Sequence, residues 1–168
     1  MREDIYVIDT SSLIEIKPEN FPPDIYVSMW KDIENLIKSG RLISHKYVLE
    51  ELRKYEGKED EILKWAEKHK NIFKDVTPQQ FKLGQQILKK KYSSLIDVNG
   101  RVEADPFVIA LALEKDSQQT LFPSTFEKIV VTEEKLKGNK IKIPFVCQHF
   151  GVDCINIFSM FRREGWKW

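Results

Sequence analysis

The sequence contains little of several features that define other classes of protein. Two cysteines in 168 residues are too few for a disulfide framework and are typical of a reducing, cytoplasmic setting. Seven glycines and seven prolines exclude a fibrous or low-complexity chain. The longest apolar run, residues 107–113, is far shorter than the ~20 residues that cross a bilayer, and the charged N-terminus does not predict a signal peptide. We therefore expect a cytoplasmic protein with no membrane partner.

An excess of charge of either sign is also lacking. The 27 Lys and Arg residues nearly balance the 26 Asp and Glu residues, and a net charge of +1 argues neither for nor against nucleic acid. What the chain does have is an apolar content of 42% and enough length to bury roughly 70% of its unfolded surface. Its length predicts a single domain over residues 1–168.

Apolar strands alternate with helical segments along the chain. Residues 5–8 and 129–132 are β-branched and apolar, which is typical of strands buried on both faces. Amphipathic helical patterns lie between them, including residues 24–39, and an almost wholly apolar helix is expected from Pro106 to about Lys115. This alternation predicts an α/β fold whose central, mostly parallel sheet is flanked by helices.

Acidic residues follow predicted strands or begin predicted helices. Asp9 follows the first strand, Asp105 precedes Pro106 as the expected N-cap of a helix, and Glu133 and Glu134 follow the strand at 129–132. Helix capping explains such aspartates, and a solvated first turn of a helix explains such glutamates. Ligands of parallel α/β sheets bind beyond the carboxyl ends of the strands, so we expect these strand-end acids at that edge.

The helix that carries Val48, Leu49 and Leu52 supplies a further acid. Glu51 lies roughly 105° from the centre of that apolar face, whereas Glu50 lies roughly 155° away and points to solvent. Glu51 is therefore the acid that can turn toward the edge of the sheet.

Converging carboxylates are typical of a site for Mg²⁺ or Mn²⁺. These hard cations prefer carboxylate oxygens, and without a cation such acids repel one another and raise each other's pKa. Cations so held can activate water and stabilise the charge of a phosphoryl displacement. Asp9, Glu51, Asp105 and one of the two glutamates at 133–134 therefore indicate metal-assisted phosphodiester hydrolysis.

Four short motifs in order resemble those of the PIN domain family. They are residues 6–14 (YVIDTSSLI), 48–52 (VLEEL), 104–112 (ADPFVIALA) and 129–134 (IVVTEE), and the resemblance spans about residues 5–158. The tail at 143–156 is similar to a PIN-like subfamily of small prokaryotic proteins of unknown function. The resemblance implies a Rossmann-like, three-layer fold and a Mg²⁺- or Mn²⁺-dependent endoribonuclease, often the toxin of a toxin–antitoxin pair.

The resemblance also implies roles for individual residues. The acids that match its metal ligands, and hence the expected catalytic residues, are Asp9, Glu51, Asp105 and Glu134. The fourth position is commonly Asp in the family, and here it is Glu. Ser11 matches the hydroxyl that supports the first aspartate, and Thr132 and Glu133 are the expected supporting neighbours. The implied partners are single-stranded or structured RNA, an antitoxin protein and a second copy of this chain.

Other classes of function fit less of the sequence. A catalytically inactive PIN-like module that binds RNA or protein is the main alternative, because some PIN-like proteins have lost ligands. A receiver domain needs an acidic pair and a lysine at strand ends, and neither Asp4 nor Lys135 is suitably placed. A dinucleotide enzyme needs a glycine-rich turn after the first strand, which is lacking.

Several remaining features favour structural roles. Cys147 and Cys154 are expected to be buried thiols and not metal ligands. His45, His69 and His149 are expected to be structural or solvated. The basic run at 89–91 is interpreted as a solvated helix end, and the aromatic and basic tail at 162–168 predicts either an oligomer interface or a surface that stacks on RNA.

Overall fold

The computed structural model describes residues 3–55, 57, 60–89, 104–115, 126–136 and 142–168. Within these residues a five-stranded, all-parallel sheet has the strand order β3-β2-β1-β4-β5. The strands are β1 (Glu3–Ile8), β2 (Leu42–His45), β3 (Phe73–Lys74), β4 (Phe126–Val131) and β5 (Cys154–Ile155). The helices are α1 (Thr10–Glu15), α2 (Val27–Lys38), α3 (Lys46–Tyr55), α4 (Glu61–Lys68), α5 (Pro78–Lys89), α6 (Ala104–Leu113), α7 (Ile143–Phe150) and α8 (Ile157–Arg163).

Strand β1 is the centre of the sheet and the point where the strand order reverses. The chain proceeds from β1 outward to β2 and β3, then crosses back to β4 and β5 on the other side of β1. The side chains of Tyr6, Val7 and Ile8 are completely buried, as the continuous apolar pattern predicts. Because crossovers between parallel strands are right-handed as a rule, this strand order predicts the helices between β1 and β3 on one face and those between β3 and β5 on the other. The predicted three-layer α/β fold with a parallel sheet is confirmed.

Helix α6 runs antiparallel to the strands within its layer. The Nζ atom of Lys128, near the start of β4, donates to the carbonyl oxygens of Leu111 at 3.5 Å and Glu114 at 2.7 Å. The end of α6 therefore lies at the amino edge of the sheet, and its beginning lies toward the carboxyl edge. Most of the helix is buried, as its apolar composition predicts.

One local prediction is wrong, and one strand was not predicted. Helix α6 begins at Ala104, so Asp105 lies in its first turn and is not its N-cap. An Asp-Pro pair marks the beginning of a helix only to within a residue or two, because Pro is accepted throughout the first turn. Strand β3 was not expected, since it has only two residues, Phe73 and Lys74, and owes its conformation to pairing with β2. The predicted loop at 93–103 and most of the basic run at 89–91 lie outside the described residues.

Ion pairs join the last helix to the first strand at the amino edge. Glu164 accepts hydrogen bonds from Tyr6 Oη at 2.6 Å and from both terminal nitrogens of Arg41 at 2.9 and 2.5 Å. Beside them, Arg163 Nε contacts Asp4 Oδ2 at 2.7 Å. These contacts fix α8 against the sheet. No helix within the described ranges has the length and apolar character needed to cross a membrane.

Candidate functional site

Asp9 occupies the junction between the central strand and the first helix. Its backbone N–H extends the sheet by donating to the Val131 carbonyl oxygen at 2.9 Å. Its side chain then caps α1, because Oδ1 accepts the Thr10 N–H at 2.7 Å. The carboxyl ends of β1 and β4 meet here, at the reversal in strand order where open α/β sheets bind their ligands. The predicted N-cap role of Asp9 is confirmed, and only 3% of the residue is exposed.

Two hydroxyl groups fix the second carboxylate oxygen of Asp9. Ser11 Oγ lies 2.8 Å and Thr132 Oγ1 lies 2.9 Å from Asp9 Oδ2, and both donate to it. Each hydroxyl oxygen in turn accepts a backbone N–H, from Glu133 at 3.0 Å and from Glu134 at 3.2 Å. The hydroxyl protons are thereby directed at the carboxylate, as the predicted supporting roles of Ser11 and Thr132 require.

Burial raises the pKa of the Asp9 carboxyl group above its ordinary value of 3.8. The hydrogen bonds from Ser11, Thr132 and the backbone act in the opposite direction but do not offset the desolvation. Within the described part of the chain, no lysine or arginine forms an ion pair with Asp9. The carboxylate is therefore held rigidly but lacks a cationic partner in the described chain.

Thr10 connects Asp9 to Glu51. The Thr10 backbone N–H bonds Asp9, and its side-chain Oγ1 donates to Glu51 Oε2 at 2.5 Å. Glu51 projects from α3, which packs against α1. The helical phase predicted that Glu51, and not Glu50, turns toward this edge. Glu51 contacts Thr10, whereas Glu50 is exposed. Asp9 and Glu51, two of the four predicted acids, therefore both accept a hydrogen bond from Thr10.

Asp105 lies in the first turn of α6 and is half-buried. Helix α6 packs against α3, which carries Glu51, and against β1, which leads to Asp9. Because the helix runs antiparallel to the strands, its first turn is at the carboxyl edge of the sheet. Asp105 therefore shares that edge with the other two acids.

Glu133 and Glu134 contact the beginnings of two later helices. Glu134 Oε2 accepts the N–H of Ile143, the first residue of α7, at 2.9 Å. Glu133 Oε1 accepts the N–H of Ile157, the first residue of α8, at 2.8 Å and the Ser12 hydroxyl at 3.1 Å. A carboxylate at a helix N-terminus satisfies an unpaired N–H and interacts favourably with the helix dipole. A solvated helical turn, the alternative explanation for these two glutamates, does not apply, because residues 132–136 are not helical and both glutamates are half-buried.

The arrangement suits a divalent cation held by few protein ligands. The described residues contain no group of three or more His, Cys, Asp or Glu side chains that could hold a metal ion. Mg²⁺, however, keeps several waters and is usually bound by one or two carboxylates together with substrate phosphates. Asp9 and Glu51, both hydrogen-bonded to Thr10, offer two carboxylates, and the buried Asp9 carboxylate is a hard oxygen donor whose charge a cation would compensate. The residues present fit Mg²⁺ or Mn²⁺ in this form and do not form a closed cage of four acids.

A cavity of about 490 Å³ lies away from this edge and contains none of the predicted site residues. Its wall includes Thr77, Gln80 and Glu114, which bond to one another: Glu114 accepts Thr77 Oγ1 at 2.5 Å and Gln80 Nε2 at 2.7 Å. Gln80 Oε1 also contacts Nε2 of the fully buried His45 at 3.0 Å, and burial lowers the pKa of His45 to about 4. Sequence reasoning missed this network, whose members are far apart along the chain.

The remaining histidines and Cys147 occupy the surroundings expected of them, whereas Cys154 is less buried than predicted. His69 is buried between the Trp65 carbonyl oxygen at 2.8 Å and Glu34 at 2.7 Å, and His149 is exposed. Cys147 is fully buried, and its pKa is raised by a hydrogen bond with the Cys154 thiol and by burial. Cys154 is only half-buried.

The aromatic residues of the C-terminal segment pack within the molecule. The rings of Trp166 and Trp168 lie 5.4 and 5.0 Å from that of Phe161, and Trp168 Nε1 donates to Asp32 at 3.1 Å. Trp168 nevertheless keeps 52% of its surface exposed. The tail is therefore docked on α2 and α8, and its predicted contact with RNA or a second copy stays a prediction.

Comparison with known proteins gives one match. The model of a family described as a domain of unknown function (DUF4411) matches residues 6–168, which include every candidate site residue. No curated protein and no solved structure matches the chain significantly.

Proposed function

We propose that this chain, which belongs to the DUF4411 family of domains of unknown function, is a Mg²⁺- or Mn²⁺-dependent endoribonuclease of the PIN type. The four motifs that resemble PIN domains support the proposal. So does the parallel sheet, because its reversal point coincides with the first and fourth motifs. The reaction is hydrolysis of a phosphodiester bond in single-stranded or structured RNA.

The surroundings of Asp9 are the observation that carries this proposal. The residue is only 3% exposed, its carboxylate is held by Ser11 and Thr132, and burial raises the pKa of that carboxyl group. A buried carboxylate without a cation opposes folding, whereas the N-cap role alone is fulfilled by Ser, Thr or Asn at no such cost. A buried carboxylate whose negative charge is not compensated by the described residues is what a site for a divalent cation requires.

The residues at this edge divide into ligands and supports. Asp9 and Glu51 would bind the cation, and Asp105 would approach it from the first turn of α6. When bound, the cation supplies Lewis-acid chemistry, which activates water and stabilises charge on the phosphodiester. Ser11 and Thr132 keep the Asp9 carboxylate in one orientation. Because Glu133 and Glu134 bond helix N-termini, we assign them the role of positioning the segment that contains Thr132.

The cellular setting of such an enzyme would be the cytoplasm. There it would act as the toxin of a toxin–antitoxin pair, with RNA as substrate and an antitoxin protein as its inhibitory partner. The low cysteine content and the resemblance to PIN domains support this part of the proposal.

Thermal unfolding with and without Mn²⁺ tests the site directly, since a ligand that binds only the folded state raises stability. We expect Mn²⁺ to raise the Tm of the wild type and each of Asp9→Asn, Glu51→Gln and Asp105→Asn to reduce that rise. Asp75→Asn is the matched control, because the Asp75 side chain is 90% exposed. Cleavage of an RNA panel with Mn²⁺ should be lost in the first two variants and kept in the control. A wild type that Mn²⁺ does not stabilise, or a Glu51→Gln variant that responds like the wild type, would contradict the assignment.

A module that binds RNA or protein without catalysis is the second candidate. One observation favours it: the described residues contain no group of three acids suited to a metal, and both glutamates of the fourth motif contact helix N-termini. This candidate predicts that the chain binds RNA and leaves it intact with Mg²⁺, Mn²⁺ or EDTA alike. Gel-shift and cleavage assays on the same RNA separate the two functions.

A further inference from the structure

Thr10 donates hydrogen bonds to two different acids of the candidate site. Its backbone N–H bonds Asp9 Oδ1 at 2.7 Å, and its Oγ1 bonds Glu51 Oε2 at 2.5 Å. We propose that Thr10 is a positioning residue, which holds the Glu51 carboxylate beside Asp9 in readiness for a divalent cation. This inference rests on the proposed function, because it concerns the same cation.

The backbone of Thr10 is fixed by the fold. Thr10 is the first residue of α1, and its N–H has no partner within the helix, so the Asp9 side chain satisfies it. Asp9 is in turn anchored by the bond from its own N–H to Val131 and by the two hydroxyl bonds to its carboxylate. Thr10 is also β-branched, which restricts rotation about its first side-chain bond. Its hydroxyl therefore projects from a well-defined position.

Glu51 has a longer and more flexible side chain, and Thr10 is one of the residues that order its carboxylate. Its side chain has three rotatable bonds, and ordering such a side chain costs conformational entropy when a ligand binds. The bond from Thr10 is a hydrogen bond to a carboxylate, which is shorter and stronger than one between neutral groups. Part of the ordering is therefore complete before the cation arrives, and the cation binds more tightly than it would to a mobile glutamate.

The proposed positioning role requires the hydroxyl group of Thr10 and not the shape of its side chain. Thr10→Val keeps the β-branched side chain and the backbone N–H but removes the donor. Thr10→Ser keeps the donor and removes the methyl group. Thr77 provides a matched control, because Thr77 Oγ1 also lies 2.5 Å from a glutamate oxygen, that of Glu114 beyond the other end of α6.

The experiment is a Mn²⁺ titration of the full chain, followed by the Tm at each concentration. For Thr10→Val we expect about a tenfold increase in the Mn²⁺ concentration that gives half of the maximal stabilisation, since a hydrogen bond to a charged group has about that effect. Thr10→Ser should stay within about twofold of the wild type. Thr77→Val should lower the Tm in the absence of metal but keep the wild-type midpoint. In RNA cleavage, Thr10→Val should need more Mn²⁺ for half-maximal rate and approach the wild-type kcat at saturation.

The outcomes distinguish this inference from the function on which it rests. A wild type without any Mn²⁺-induced rise in Tm overturns both. A wild type that Mn²⁺ stabilises, together with a Thr10→Val variant of equal midpoint, overturns only the role of Thr10. Equal weakening in Thr10→Val and Thr10→Ser also overturns it, because the methyl group and not the hydroxyl would then matter.

Discussion

The carboxylate of Glu134 accepts the backbone N–H of Ile143 at 2.9 Å, which places this acid at the beginning of helix α7. Glu134→Gln retains an acceptor oxygen, so we expect it to preserve the contact and to leave Mn²⁺ stabilisation close to that of the wild type. Glu134→Ala removes the acceptor and should lower the free energy of unfolding by about 1 kcal/mol. Urea unfolding and the Mn²⁺ midpoint of both variants are the measurements.

The same pair of variants tests the role implied by the resemblance to PIN domains. A metal ligand would tolerate neither change, because an amide oxygen is a weaker ligand than a carboxylate for Mg²⁺ or Mn²⁺. If Glu134→Gln weakens Mn²⁺ stabilisation as strongly as Glu51→Gln does, Glu134 is a ligand and its contact with Ile143 is secondary.

Asp9 should make the stability of the metal-free protein depend on pH. Burial raises its pKa in the folded state above 3.8, so the folded chain retains this proton to higher pH than the unfolded chain does. Burial of the ionised Asp9 carboxylate lowers the free energy of unfolding by its full amount above the folded-state pKa. This loss is absent below 3.8, where the group is protonated in both states. The free energy of unfolding of Asp9→Asn should therefore exceed that of the wild type by most at neutral to alkaline pH. This difference should shrink as pH falls through the folded-state pKa of Asp9. Urea unfolding in EDTA between pH 8 and pH 5 measures the difference.

Asp75→Asn controls for the loss of one negative charge in this comparison, because that carboxylate is exposed. Proton competition also predicts that Mn²⁺ stabilises the wild type less as pH falls through the pKa of Asp9. An Asp9→Asn variant that is less stable than the wild type at every pH would show that its hydrogen bonds outweigh its desolvation.

His45 should produce the opposite pH dependence. Burial lowers its pKa to about 4, so the unfolded chain takes up this proton near pH 6.5 while the folded chain stays neutral. The contribution of neutral His45 to the free energy of unfolding is therefore fully present above pH 6.5. It is lost as pH falls toward 4, and the total loss is roughly 3 kcal/mol. His45→Asn removes the titration and should flatten the slope of unfolding free energy in that window. Identical slopes in the variant and the wild type would contradict the assignment.

The contact between Arg41 and Glu164 should stabilise the last helix against the sheet. Both side chains are largely buried, with 21% and 14% exposed, so Arg41→Leu would leave the Glu164 carboxylate without its cation. We expect a loss of about 2 kcal/mol in the free energy of unfolding. The pair formed by Arg53 and Glu67 has the same 2.5 Å contact but is 46% and 34% exposed, and Arg53→Leu should cost about 0.5 kcal/mol. Equal losses would mean that burial does not decide the strength of these pairs.

The parts of the fold and site that the sequence predicted are those fixed by neighbouring residues. The apolar strand before Asp9, its role as N-cap and the hydroxyl two positions later are all local, and each is present. The orientation of Glu51 followed from helical phase alone. Gly151 ends α7 with φ at 69°, a conformation that glycine adopts without strain.

What the sequence did not predict depends on residues far apart in the chain. Nothing near Glu133 indicates that its carboxylate meets the first turn of α8, 24 residues later. The residues around Thr10 indicate only that it begins a helix. Its contact with Glu51 requires α1 and α3 to pack together. The contacts of Glu164 with Tyr6 and Arg41 join positions 158 and 123 residues apart. Such contacts follow from topology, which a single sequence does not specify.

The central place of β1 has a consequence for synthesis of the chain on the ribosome. This strand is made before the other four strands, yet its neighbour β4 begins at Phe126 and its ion-pair partner Arg163 comes later still. At elongation rates of roughly 5–20 residues per second, β1 must wait on the order of ten seconds for that neighbour. Until then an apolar strand has an unpaired edge, where chaperones or other nascent chains can bind. Completion of the fold, and with it of the acidic edge, is therefore postponed until the chain has been synthesised at least as far as Arg163.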